Sequence, residues 1–198
     1  MRNPQAQDQQ GAYPSLITAL CERDAYTRGH CDRVSKIALE IGRAIGLQGR
    51  ESEALRIASQ LHDVGKIGVR DDVLLKPGRL TSEEWEEMKR HSIHGERIIN
   101  DTYLSNRAEV ASIVRHHHEA FDGAGYPDGL VGSEIPISCR IILVIDSYDA
   151  MTTGRSYHKA RSHGEAMSIL TQEAGTKLDP EVFAVFSTVI SKCAFYGS

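Results

Sequence analysis

Paired cysteines are missing from this 198-residue chain. Its four cysteines, Cys21, Cys31, Cys139 and Cys193, form no CxxC unit, so they are read as free thiols of a reducing, cytoplasmic compartment. The N-terminus lacks the apolar core of a signal peptide, and the longest apolar run, Ile141 to Ile145, falls far short of the roughly 20 residues that a bilayer span requires. No membrane crossing is expected. A basic surplus is lacking too: 23 Lys+Arg stand against 27 Asp+Glu, a net charge of −4, which disfavours a broad grip on nucleic-acid backbone and predicts no DNA partner. A small anionic ligand in a locally basic pocket fits that balance. Proline is scarce at 6 residues, and 40% hydrophobic with 25% charged residues describes a globular chain rather than a collagen-like or disordered one. The length suits one domain with a packed core.

The apolar residues that are present recur mostly at helical spacing. Residues 1–12 are polar and without apolar period, which predicts a disordered lead or linker remnant, followed by a single all-α domain over 13–198. Val34, Ile37, Ala38, Ile41 and Ile45 place one stripe on a helix from about Thr27 to Gly46. Ala54, Leu55, Ala58, Leu61 and Val64 mark a second, with Gly65 as its expected stop and His62-Asp63 in its last turn. Thr81 with Glu84 predicts a capping box opening a third, with His91 towards its end. A helix through Ala108 to His118 runs into an ordered loop, Asp122 to Pro136, that holds four Gly and two Pro. A largely apolar helix is predicted over Ile137–Thr152, and further helices at Ser162/Glu165 and Asp179-Pro180. The expected bundle has about seven or eight helices.

Histidine is abundant, with nine residues, several beside aspartate or beside one another. His62-Asp63 alone is a weak signal, because adjacent helical residues point about 100° apart and address one ion together only near a helix end or across their shared face. Asp146 follows five apolar residues in a helix expected to be buried, where an unpaired carboxylate costs several kcal/mol, so either a salt bridge or a cation must compensate it. His116 to His118 read either as helix-terminal caps or as ligands. Of His91 and His94, one is expected to be solvated. Together, imidazoles and carboxylates near the ends of five helices are what an inter-helical metal site requires. A thiolate-free His/Asp set suits Fe, Mn, Zn or Ni, and seven candidate ligands exceed what one tetrahedral ion uses, which points to two ions with Asp63 as the bridging carboxylate.

His30, then LHDVGKIGV (61–69), KPGRLTSEEWEEMKRHSIHG (76–95), HHEAFDGAGYPDGLVGSEIP (117–136) and RIILVIDSYDAMTTGRSY (140–157) together resemble the HD-GYP family over about residues 19–186. The resemblance implies an HD-superfamily helical bundle with a Gly-rich GYP loop, and a metal-dependent phosphodiesterase that cleaves cyclic di-GMP to pGpG and possibly to GMP. Metal ligands carried over are His30, His62, Asp63, His91, His117, His118 and Asp146. Lys66 matches the lysine after the HD pair, and the loop of Gly125-Tyr126-Pro127 implies contacts with diguanylate cyclase (GGDEF) domains and a role for Tyr126 in shaping the substrate groove. A homodimer is a further implication.

Two transition-metal ions would acidify a shared water, hold the hydroxide in line with phosphorus and neutralise phosphoryl oxygens. Asp63 and Lys66 are then the catalytic pair, Lys66 and Arg155 the phosphate contacts, and Asp149 either an acceptor orienting a ligand histidine or a plain helix salt bridge. The chain departs from the family pattern at Tyr26, where members with a third metal carry an acidic residue, so a binuclear site is expected. His158 stands in place of a basic residue and weakens a second phosphate contact; Phe121 and Ala124 are milder changes. The alternatives are a phosphohydrolase for another nucleotide, or a module that binds the nucleotide or a cyclase without turnover.

Overall fold

Helical periodicity becomes helix almost throughout the chain. A computed structural model describes residues 4–23, 27–153 and 160–192. Among these, ten α-helical segments form, the fourth only one turn long. They are α1 (Pro4–Arg23), α2 (Thr27–Ala44), α3 (Gly49–Leu61), α4 (Asp71–Leu74) and α5 (Ser82–Lys89), then α6 (His91–Asn100), α7 (Arg107–His116), α8 (Ile137–Thr152), α9 (His163–Glu173) and α10 (Pro180–Lys192). Short 3-10 turns cover Val64–Gly68 and Gly132–Glu134, and the described residues contain no strand beyond one isolated bridge between Ala174 and Leu178. The fold is all-α, as the sequence indicates. Helix α1 begins at Pro4, ahead of the first apolar periodicity at Tyr13.

The core centres on α8. Its five-residue apolar run, Ile141 to Ile145, is buried on every side, because α8 packs against α2, α7, α9 and α10. Each such side chain contributes about 1.5–3 kcal/mol on burial. The stripe Val34, Ile37, Ala38 and Ile41 turns α2 towards α3 and α8, and Ala54, Leu55, Ala58 and Leu61 give α3 its inner face. Cys21, Cys31 and Cys139 are free and buried, and Cys193 lies outside the described residues.

The caps expected at Thr81 and Ser162 form as reciprocal boxes with Glu84 and Glu165. Asp179 accepts hydrogen bonds from the amides of Glu181 and Val182, opening α10. Two local readings are corrected. The helix opened by Thr81 does not continue through His91: it closes at Arg90, whose amide bonds back three residues to the Glu87 carbonyl, and α6 starts afresh at His91. A tightened last turn of this kind rotates the following residues off the old helical register. His91 is thereby placed at a helix start with its ring buried.

Gly65 is not a left-handed helix stop either. It sits in the 3-10 turn, with no positive φ, where that turn crosses α6; a Cβ there would lie 1.8 Å from the His91 carbonyl oxygen and 2.4 Å from the Gly95 amide nitrogen. Glycine is required by the contact between backbones. Replacing Gly65 by Ala is therefore expected to lower unfolding stability by about 3 kcal/mol in urea titrations. Gly164→Ala, which meets nothing within 4 Å in the first turn of α9, is expected to be neutral or to raise stability by about 0.5 kcal/mol.

Candidate metal centre

Five helix ends or faces deliver the candidate ligands to one place. His30 comes from the first turns of α2, His62 and Asp63 follow α3, His91 opens α6, His117 and His118 follow α7, and Asp146 projects from α8. Asp63 lies past the helix end, at φ −91°, ψ 2°. Leaving the helix resolves the angular problem of neighbouring helical residues, since His62 and Asp63 now face the same space.

Two groups of donors result. His30, His62 and Asp146 form one, and Asp63, His91, His117 and His118 the other; within each, one ligand atom per residue lies within 4.8 Å of the rest. In the first, His30 Nε2 is 3.1 Å from His62 Nε2 and 3.3 Å from Asp146 Oδ1. In the second, His91 Nε2 is 3.3 Å from His117 Nε2. Asp63 lies between the groups, with Oδ2 3.7 Å from His62 Nε2 and Oδ1 3.6 Å from His91 Nε2.

Backbone geometry sets the tautomers. The last carbonyls of a helix have no intrahelical donor, and three of the histidines supply one from three residues on. His62 Nδ1 donates to Ser59 O at 2.9 Å, His91 Nδ1 to Met88 O at 2.8 Å and His117 Nδ1 to Val114 O at 2.7 Å. The proton is thus held on Nδ1, and the Nε2 lone pair points into the site. His30 uses a side chain instead, donating Nδ1–H to Asp149 Oδ2 at 2.7 Å.

Burial lowers the pKa of His62, His91, His117 and His118, keeping the rings neutral. His30 is shifted the other way: burial lowers its pKa, but the hydrogen bond it donates to Asp149 and the charges of Asp146, Asp63 and Asp149 outweigh it. For Asp63, burial raises the carboxyl pKa, and Lys66 with the surrounding imidazoles drives it well below the usual carboxylate range. Lys66 Nζ donates to Asp63 Oδ2 at 2.6 Å.

This donor set fits a cation. Neutral His91 and His117 place two acceptor lone pairs 3.3 Å apart with no proton between them, an arrangement that repels unless a positive ion is shared. Around His30, the negative field that would hold a proton on the ring equally favours a cation at Nε2. Nitrogen and carboxylate donors without thiolate suit first-row transition metals.

A family model described as HD domain matches residues 14–182. The chain belongs to the HD-domain family. The cyclic di-GMP phosphodiesterase response regulator RpfG of Xanthomonas campestris is 39% identical over 165 residues, which are 83% of this chain and 44% of that protein. A cyclic di-GMP phosphodiesterase of Thermotoga maritima is 41% identical over 175 residues, 86% of this chain and 47% of that one. This chain therefore spans less than half the length of these relatives. Among solved structures, a cyclic GMP-AMP specific phosphodiesterase of Vibrio cholerae superposes with a TM-score of 0.70 at 20% identity, over 90% of this chain and 48% of that chain, which shows a shared fold.

Within the HD domain, the buried carboxylate of α8 is Asp149 and not Asp146. Asp146 is 21% exposed at the side of the site facing His30, whereas Asp149 is wholly buried, because three residues along α8 turn it towards α2. Asp149 serves both expected roles at once: it accepts from His30, and it pairs with Arg33 through Nε at 2.5 Å and a terminal nitrogen at 2.9 Å. Burial raises the Asp149 carboxyl pKa, but Arg33 and His30 lower it further, to below the usual range. Arg33 was not anticipated, although its three-residue spacing from His30 on α2 is a readable signal.

Glu119 was also missed. It is buried, and its oxygens accept from the amides of Asp128, Gly129 and Leu130 at 2.7, 3.2 and 3.1 Å, fastening the Gly-rich loop to the end of α7. A Cβ on Gly125 would lie 2.1 Å from the Ala120 nitrogen. The fastened loop sets the Tyr126 ring 4.8 Å from that of His118. A third cluster, His116, Glu119 and Asp128, is already committed, since Arg115 and His116 hold Asp128 and Glu119 holds the loop. His94 is the half-exposed member of its pair, packed at Gly68. Tyr26, Arg155 and His158 lie outside the described residues.

Removing the Asp149 carboxylate leaves His30 without its orienting acceptor. Asp149→Ala is expected to weaken metal retention at the His30 group about 10- to 100-fold while sparing the His91 group. Metal content after graded dialysis against chelator reads this as the early loss of one of two ions.

Proposed function

We propose that residues 13–198 form an HD-GYP phosphodiesterase domain that hydrolyses cyclic di-GMP to pGpG at a binuclear site, residues 1–12 being a lead or linker. The observation that carries this reading is the pair of donor groups joined through Asp63. His30, His62 and Asp146 would hold one ion, His91, His117 and His118 the other, and Asp63 would bridge them, with Fe, Mn, Zn or Ni as the metal. Bound there, two divalent cations supply Lewis acidity towards phosphoryl oxygens and acidify water.

The chain's own residues do the rest. Neutral imidazoles with their protons locked on Nδ1 present fixed lone pairs, so the site needs little reorganisation as charge develops on phosphorus. Lys66, held against Asp63, adds a point charge for the reacting phosphate, and Arg155 and His158, which lie outside the described residues, are the further phosphate contacts of this reading. Tyr126 walls a cavity of about 720 Å³ that also reaches His118 and Asp146, within the range of small-molecule sites. The reading extends to a cytoplasmic homodimer and to GGDEF domains docking on the loop, whose Val131 side chain is exposed. No helix among the described residues is long and apolar enough to cross a membrane.

A second substrate is favoured by one specific observation: the Vibrio cholerae neighbour in the same fold is named for cyclic GMP-AMP. Both substrates present the same phosphodiester to the ions and differ in one purine.

Protein purified without chelator is expected to carry about two transition-metal ions per chain and to convert cyclic di-GMP to pGpG, resolved by chromatography. Asp63→Ala should lose both ions and all turnover; full activity with bound metal in that variant would remove the bridge. Lys66→Ala should keep its metal while the rate falls roughly a hundredfold, and an unaltered rate would remove Lys66 from the mechanism.

A further inference from the structure

Helix α5 carries a feature that packing does not account for. No side chain of this helix is buried, yet it holds Trp85, the chain's only tryptophan. Its large apolar surface is 48% exposed. Four residues on, Lys89 shares the same helix face, and that face lines the cavity whose inner wall includes His118 and Asp146, one member of each donor group.

Ring distances lead outward from the donors to Trp85. Tyr126 is 4.8 Å from His118, and Trp85 is 6.3 Å from Tyr126 at an interplanar angle of 80°. The indole meets the phenol edge-on, so the two rings leave a corner between them rather than a closed stack. Lys89 Nζ stands 5.8 Å from the Tyr126 ring centre and is paired with Glu86 at 2.6 Å. Glu86 is largely exposed, and such a surface pair is weak enough for an incoming phosphate to share the ammonium.

We propose that α5 forms a subsite for the nucleotide half that is not being cleaved, with the Trp85 indole as a stacking face for its purine base and Lys89 as the counter-charge for its phosphate. This rests on the cyclic-dinucleotide reading above. A cyclic dinucleotide carries two phosphodiesters and two flat bases. When one phosphate is held at the donor groups, the other half needs an apolar plane and a cation at the outer end of the same cavity, and α5 presents both on one face. Stacking on an aromatic ring tolerates any base, so this subsite adds affinity without choosing between guanine and adenine.

Because Trp85 is the only tryptophan, its emission reports on the subsite directly. Metal-loaded protein mixed with cyclic di-GMP in a stopped-flow fluorimeter is expected to show quenching that recovers as product leaves. Trp85→Ala should raise KM for cyclic di-GMP about 10- to 100-fold with kcat within about twofold and an unchanged melting temperature. Trp85→Phe should recover most of the loss, and Lys89→Gln should raise KM and flatten its dependence on salt. Turnover accompanied by unperturbed Trp85 emission and an unmoved KM in Trp85→Ala would overturn the subsite and leave the proposed activity standing. Failure of the metal-loaded protein to hydrolyse any cyclic dinucleotide would overturn the activity, and the subsite with it.

Discussion

The hydrogen bond from a histidine Nδ1 to a carbonyl at a helix end is the contact on which the site depends. His62, His91 and His117 each make it three residues back, to Ser59, Met88 and Val114. One bond does two things: it satisfies a carbonyl that the helix leaves without a donor, and it fixes the imidazole with its Nε2 lone pair turned inward. The position of the ring thus follows from the place where each helix stops. The break at Arg90 and the glycine contact at Gly65 serve the same end, since both determine where the His91 ring lies.

Charge is handled by pairing each buried carboxylate with a cation from a nearby element. Lys66 holds Asp63 from within the 3-10 turn that follows it, and Arg33 holds Asp149 across the α2–α8 contact. Left alone, either carboxylate would be strongly disfavoured at such depth. Paired, both stay ionised and impose a negative field on a cluster of neutral imidazoles. That combination favours a bound cation, and it links the stability of the α2–α8 contact to the orientation of His30.

The loop after α7 is held by similar means. Glu119 collects three successive backbone amides, while Arg115 and His116 grip Asp128 from the α7 side. A segment rich in glycine has much conformational freedom to lose, and this network, with the tight seat of Gly125, keeps Tyr126 beside His118. The wall of the cavity is therefore an extension of the helix that supplies two of the donors.

Much of this was written in the sequence: the helical periodicities, the capping boxes at Thr81 and Ser162, the proline-initiated α10, and the set of histidines and aspartates near helix ends. These are local signals, carried by residues three or four apart. What the sequence left open were the relations between distant segments. Asp146 and Asp149 sit on one helix, and the apolar run before Asp146 marks it as the buried one; only the packing of α8 against α2 decides that Asp149 is buried against Arg33 while Asp146 faces the donors. Gly65 reads as a helix stop until α6 is laid across it. Trp85 carries no positional signal in the sequence, and only the placement of α5 at the surface sets it beside the cavity. In each case the deciding quantity is a distance between elements far apart in the chain, and periodicity carries no information about that distance.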